Sequence, residues 1–241
     1  MNNDQSKSRA GICAHEVTGH NSEQREARVL GNGPRIQPLQ VSELTDDLLQ
    51  ILTRMSQINT ALASREQDTL TDLISDRAGD ATAAAVANLS EIMRTMLRHP
   101  DLFVREIDVG VQLLTQGALS NRDRELAILR IGWLCQAPYE WGEHVLVAKH
   151  VGISSEDIER ITHGSAAPGW SEHDQAILRA AEELFADAMI SDETWATLSK
   201  RLDDRQLIEL PILIGQYQVV AYYQNSLRLR LHNGNLGLKA R

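Results

Sequence analysis

A carboxyl and an imidazole lie four residues apart in Pro138-Tyr139-Glu140-Trp141-Gly142-Glu143-His144. The spacing predicts a helix from Pro138 to about Val151 that projects Glu140 and His144 from one face, one turn apart. The rest of that face is apolar, carrying Ala137, Trp141, Val147, Ala148 and Val151. Such groups in a hydrophobic stripe are costly to bury unless they pair or move protons. General acid–base catalysis is the chemistry they could do.

The preceding segment repeats the tension. Leu126, Ile128, Leu129 and Ile131 recur at helical spacing from Arg122 to Trp133, and Glu125 falls in their register, facing the core. Arg122, Asp123, Arg124 and Arg130 are expected to cover the outer side. The short link Cys135-Gln136-Ala137 implies antiparallel packing, which brings Glu125 toward His144. His144, Glu125 and Glu140 are thus the candidate catalytic groups. Tyr139 could donate a phenolic proton to a substrate oxygen, and Trp141 and Tyr217 are candidates to line a substrate pocket. Each has a plainer reading. His144 could serve a backbone carbonyl, Glu140 the helix dipole, and Glu125 an arginine such as Arg122 or Arg130. Trp141 and Tyr217 could simply pack, and Glu143 falls on another face, where solvent is expected.

The elements that must position these residues read as helices throughout. Residues 1 to 38 are polar and end in Gly31-Asn32-Gly33-Pro34, the composition of a flexible extension. The remainder, 39–241, reads as one all-α domain. Ser42 or Thr45 can start a helix through Met55, an Ala-rich helix spans about Asp80 to Arg98, and another runs from Asp101 to about Gln116. Gly152 suits a helix C′ position. Ser154, Ser171, Ser191 and Asp203 can cap four later helices. The last of these, to about Arg230, contains Pro211, where a kink is expected. No period-2 segment supports a strand.

Composition narrows the function classes. The net charge of −9 and the absence of a basic stripe argue against nucleic-acid binding. No apolar run approaches a membrane span, and the polar N-terminus is no secretory signal. Cys13 and Cys135 form no disulfide framework, so a reducing, cytoplasmic setting is expected. His15-Glu16-Val17-Thr18-Gly19-His20 nearly spells a zinc-protease motif, but a spacing of five takes the second histidine off the shared face. With no other metal-ligand spacing and no phosphate loop, neither metal nor organic cofactor is expected.

Arg124-Glu125-Leu126-Ala127-Ile128-Leu129-Arg130, then Tyr139-Glu140-Trp141-x-x-His144 and Ala148-x-x-x-Gly152, resemble the carboxymuconolactone decarboxylase family, related to alkyl hydroperoxidase D. Leu207-x-Glu209-Leu210 through Gly215-x-Tyr217 to Asn225 resembles that family's closing helix. The resemblance spans roughly Ile36 to Leu231 and is strongest over 119–231. It implies an alkyl hydroperoxidase D-like helical bundle that assembles as a homo-oligomer, a dimer or trimer or else a hexamer, with the site near an interface. Glu125 and His144 match the family's proton-relay glutamate and histidine. The hydroperoxidase branch carries a C-x-x-C seven and four residues before the histidine, where this chain has Ala137 and Glu140. Disulfide-cycling peroxidase chemistry, which needs both thiols, is therefore not expected.

The resulting expectation is a cofactor-independent lyase, decarboxylase-like, acting on a small organic acid, lactone or hydrophobic compound. The same residues would serve isomerisation or β-elimination. Two other readings stay open, a peroxidase relying on Cys135 alone and a non-catalytic helical oligomer that binds a hydrophobic ligand.

Overall fold

The computed structural model describes residues 21–43, 45, 48, 51, 90–232 and 234–241. Among them the secondary structure is helical: α1 (Ser22–Leu30), α2 (Glu91–Met96), α3 (Pro100–Thr115), α4 (Asn121–Leu134), α5 (Pro138–His150), α6 (Ser155–His163), α7 (Glu172–Asp187), α8 (Asp192–Leu198) and α9 (Asp204–Leu227), with 3-10 turns at Val41–Glu43 and Gly237–Lys239. The motif His15–His20, most of the helix expected from Ser42 to Met55 and the start of the Ala-rich helix lie outside the described residues.

Caps explain most of the boundaries. Ser120, Ser154, Ser171 and Ser191 each accept the backbone N–H three residues on, at 3.1, 3.1, 3.0 and 3.3 Å. Asp203 and Gln206 form a reciprocal capping box at the start of α9. Gly152 takes φ +88°, the left-handed conformation that ends α5. Pro211 sits inside α9, which nonetheless runs on to Leu227.

Helix α4 is the axis of the fold, packed by α5, α6, α7 and α9. The chain reverses at Gln136, whose φ is +46°, and Pro138 begins α5 where its missing N–H costs nothing. Gly132 near the end of α4 approaches Trp141, while Glu125 near its start meets His144. The two helices therefore run antiparallel.

Surrounded on all sides, α4 has no solvated face, and this corrects one expectation. Arg124 and Arg130 are 5% and 3% exposed rather than covering an outer side. Each buried charge is matched. Arg130 donates to Glu182 at 2.8 Å and to the Ile161 carbonyl at 2.9 Å, and Asp123 meets His173 at 3.0 Å. Arg122 alone stays near the rim, bridging Asp157 and Asp174. The apolar core fills in around these pairs with Leu126, Ile128, Leu129, Ile158, Ile177 and Leu210.

Of the stretch read as a flexible extension, residues 21–38 are described and include one helix. Residues 22–30 form α1, which docks on the C-terminal turn Gly237–Lys239. The polar composition hides specific anchors. Val29 is buried, Arg25 donates to the Gln136 and Cys135 carbonyls, and Glu26 accepts the Leu238 N–H at 2.6 Å. The C-terminal segment in turn lies across α5. Asn235 donates to the Tyr139 carbonyl at 2.9 Å, where a side chain at Gly142 would overlap it.

Candidate active site

His144 is held between two carboxyl groups. Its Nδ1 lies 2.8 Å from Glu125 Oε2, and its Nε2 lies 3.1 Å from Glu140 Oε1. The helix repeat supplies the Glu140 contact, and the antiparallel packing of α4 on α5 supplies the Glu125 contact. Glu125 is fully buried and is fixed from behind by Arg124 Nε at 3.0 Å. Arg124 also donates to the Leu114 carbonyl and to Asn121, so this buried cation has several partners. On the other side, Gln224 of α9 donates to Glu140 Oε2 at 2.7 Å. The side chains are linked in the order Arg124, Glu125, His144, Glu140.

Electrostatics favour a proton on the imidazole. Burial by itself would push the His144 pKa down, but Glu125 and then Glu140 outweigh it and raise the value to about 10. With the imidazole protonated, both ring nitrogens donate to the flanking carboxyls. The edge of the His144 ring also meets Tyr217, with centroids 4.8 Å apart at 89°.

The cluster opens into a cavity of about 290 Å³ between α2, α3, α5 and α9. Glu140 and His144 line it, as do Tyr139 and Tyr217, while Glu125 lies behind them. Much of the remaining wall is apolar, with Phe103, Ile107, Leu146 and Val220 among its residues. Burial, followed by the nearby carboxyls of Glu140 and Glu125, keeps the Tyr217 phenol protonated well beyond its usual range. It can therefore act only as a donor or a weak acceptor.

Two expectations are corrected at the site. Trp141 is fully buried and faces away from the cavity into the core. It packs on Trp133 with centroids 4.8 Å apart, and its indole donates to the Ala240 carbonyl at 3.0 Å. One residue along a helix turns the side chain by about 100°, so Trp141 cannot share the direction of Glu140. Glu143, expected in solvent, lines the cavity rim and pairs with Asn235 and His232, because the C-terminal segment folds over that face.

The structure also adds a carboxyl group from another helix that the sequence did not point to. Glu106 of α3 lines the cavity, accepting from Gln216 at 2.9 Å and from the Tyr223 hydroxyl at 3.4 Å. Burial raises its pKa, partly offset by the Tyr223 hydrogen bond and reinforced by the nearby Glu140. Its register was a usable signal, since Phe103, Glu106, Ile107, Gly110 and Leu114 share one helical face.

Cys135 lies apart. It does not line this cavity, and burial, only partly countered by Arg25, pushes its thiol up to about 12. Among the described residues, no group of three or more His, Cys, Asp or Glu side chains is placed to hold a metal ion. No helix among them is long and apolar enough to cross a membrane.

The helical bundle thus holds a Glu–His–Glu cluster whose arrangement is consistent with acid–base chemistry. Residues 103–183 match the profile of the carboxymuconolactone decarboxylase family. The match covers about a third of the chain, which carries no C-x-x-C pair. Solved structures share the fold. One is the alkylhydroperoxidase AhpD core of an uncharacterized peroxidase-related protein from Ralstonia eutropha, with a TM-score of 0.61 and 14% identity, covering 85% of this chain and 97% of that one. Another is a protein of unknown function from Agrobacterium tumefaciens, a candidate AhpD antioxidant-defence protein, with a TM-score of 0.53 and 18% identity over 57% of this chain and 94% of its own. No curated protein matches the sequence significantly.

Proposed function

We infer that the protein is a lyase that needs no cofactor and decarboxylates a small unsaturated acid or lactone by acid–base catalysis. The observation that supports this reading is the engagement of both His144 nitrogens by carboxyls at 2.8 and 3.1 Å, at the wall of a largely apolar cavity. In the reaction, the bond between the substrate carbon and its carboxylate breaks and CO2 leaves. The electron pair moves into the conjugated carbonyl, giving a dienolate, and a proton then adds to carbon.

Each residue has a place in that sequence. The Tyr217 phenol, protonated and in the cavity wall, donates to the developing oxyanion. Glu140, which faces the cavity, accepts the proton of the His144 imidazolium and passes it to the substrate carbon. Glu125, anchored by Arg124, orients the imidazole and stabilises its charged form, a positioning role. Glu106, whose proton affinity is raised by burial, is a second acid within the same cavity. Tyr139, in the same cavity wall, contributes to substrate binding. Isomerisation or β-elimination would use the same proton transfers, and the choice rests on the substrate.

A homo-oligomer is part of this reading. On α9, Ile208, Ile212, Gly215 and Val219 follow one another at spacings of four, three and four, the pattern of a helix-packing seam. The three apolar residues are 63%, 51% and 49% exposed, and nothing stands over Gly215 within 4 Å. A second copy of the chain would cover this stripe.

The test is a panel of β,γ-unsaturated acids and lactone acids, assayed for CO2 release and for loss of ultraviolet absorbance. Turnover that falls about 10²–10⁴-fold in His144→Ala supports the lyase. Binding of panel compounds with no turnover would favour the ligand-binding oligomer instead.

A further inference from the structure

A second cavity, of about 460 Å³, lies on the far side of α9 from His144, between α1 and the ends of α4, α7 and α9. Four arginines line it: Arg25 and Arg28 from α1, Arg35 from the following loop, and Arg228 just past α9. No carboxyl group lines it among the described residues, although the chain as a whole has 33 acidic residues against 24 Lys and Arg. Such a local excess of positive charge runs against the composition.

Among the described residues, no carboxyl group pairs with these arginines. Arg25 spends its donors on the Gln136 and Cys135 carbonyls at 3.0 and 3.3 Å, and Arg35 donates to the Ser226 carbonyl at 3.1 Å. Carbonyl oxygens orient these guanidinium groups without cancelling their charge. Arg28 and Arg228 form no ion pair among the described residues. The Arg25 guanidinium is less basic than usual, first through burial and then through repulsion by Arg28. Converging like charges are unfavourable until an anion joins them.

We propose that this cavity binds a small phosphate-bearing molecule with a flat apolar group. The phosphate sits among Arg25, Arg28, Arg35 and Arg228, and the apolar part rests on Phe185 and Tyr222, which line the same cavity. Guanidinium groups match phosphate oxygens in a planar, two-pronged geometry. Four of them offer more charge than a single carboxylate would answer, and the volume suits a ligand of a few rings. Both aromatic side chains are partly exposed in the unliganded chain, 36% for Phe185 and 56% for Tyr222. Asn225 lines this cavity while its neighbour Gln224 holds Glu140, so the ligand would sit one helix away from the acid–base cluster.

Calorimetric titration of the full chain with adenosine monophosphate, inorganic phosphate and benzoate at fixed ionic strength tests the assignment. Adenosine monophosphate should bind more tightly than inorganic phosphate, and benzoate more weakly than either. Arg28→Ala and Arg228→Ala should each weaken the nucleotide about ten- to a hundredfold, the scale of one charge-assisted hydrogen bond. Arg28→Lys should recover part of the loss, and Arg179→Ala, an arginine outside the cavity, should change nothing. If a variant fails to fold, protection of Arg28 and Arg228 from phenylglyoxal by the nucleotide, read by peptide mapping of the unaltered chain, gives the same answer. The proposal is overturned by no nucleotide binding up to about 10 mM, by binding indifferent to both alanine variants, or by benzoate binding as tightly as the nucleotide. Sedimentation with phosphatidic acid vesicles in the absence of nucleotide binding would also overturn it, in favour of a lipid headgroup.

Discussion

Replacing Glu125 with Gln removes the carboxyl closest to His144, 2.8 Å away, while leaving the shape of the site almost unchanged. In the native protein the imidazole is raised from 6.5 to about 10 against the opposing effect of burial, with Glu125 the largest favourable contribution. One tenfold step in proton affinity is about 1.4 kcal/mol, so the whole displacement amounts to roughly 3–5 kcal/mol. With Glu125 neutral, burial opposes Glu140 alone, and His144 should titrate near or below neutrality. The sign of the stability effect follows. A histidine whose folded pKa lies above its unfolded value stabilises fully below about 6.5 and progressively less as pH rises through about 10. The native protein should therefore lose stability across that window, and Glu125→Gln should flatten the slope. The substitution also leaves Arg124 without its buried counter-charge, which adds a pH-independent loss on the order of 3 kcal/mol. Histidine side-chain NMR through a pH titration, combined with urea unfolding at pH 6, 8 and 10, measures both effects. A His144 resonance that titrates at the same pH in Glu125→Gln, with an unchanged stability profile, would refute the coupling argued above.

Glu106→Gln should lower turnover and remove an alkaline-shifted ionisation from the pH–rate profile, because burial raises the proton affinity of this carboxyl; an unchanged profile would mean that Glu106 only holds Tyr223. Cys135→Ser should leave turnover within about twofold, since the thiol lies outside the cavity lined by His144 and is pushed up to about 12; loss of peroxide consumption in that variant would instead favour a thiol peroxidase. Ile212→Glu, which places a charge in the exposed seam of α9, should shift light scattering from an oligomer to the monomer mass. A native chain that is already monomeric at micromolar concentration would remove the oligomer from the reading.

Much of the helical layout was legible along the chain, because caps and glycines act locally. Ser154, Ser171, Ser191 and Asp203 satisfy N–H groups only three residues away, and Gly152 supplies its own left-handed turn, so each can be read without knowing what packs nearby. The Glu140–His144 pair was visible for the same reason, being set by the helix repeat. The short Cys135–Ala137 link made the approach of Glu125 predictable as well. Other features depended on neighbours distant in sequence. The enclosure of α4 by four helices buried Arg124 and Arg130, and its charge-rich surface becomes intelligible only beside Glu125 and Glu182. Trp141 lost its place in the pocket to the C-terminal Ala240 carbonyl, ninety-nine residues away, and Glu143 was covered by Asn235 and His232. Glu106 joined the site only because α3 packs against α9, and the four arginines converged only because α1 docks beside the end of α9. Local hydrogen bonding thus determined the elements and the Glu140–His144 pair. Long-range packing decided which charges are buried, which face the cavity, and which cavity they share.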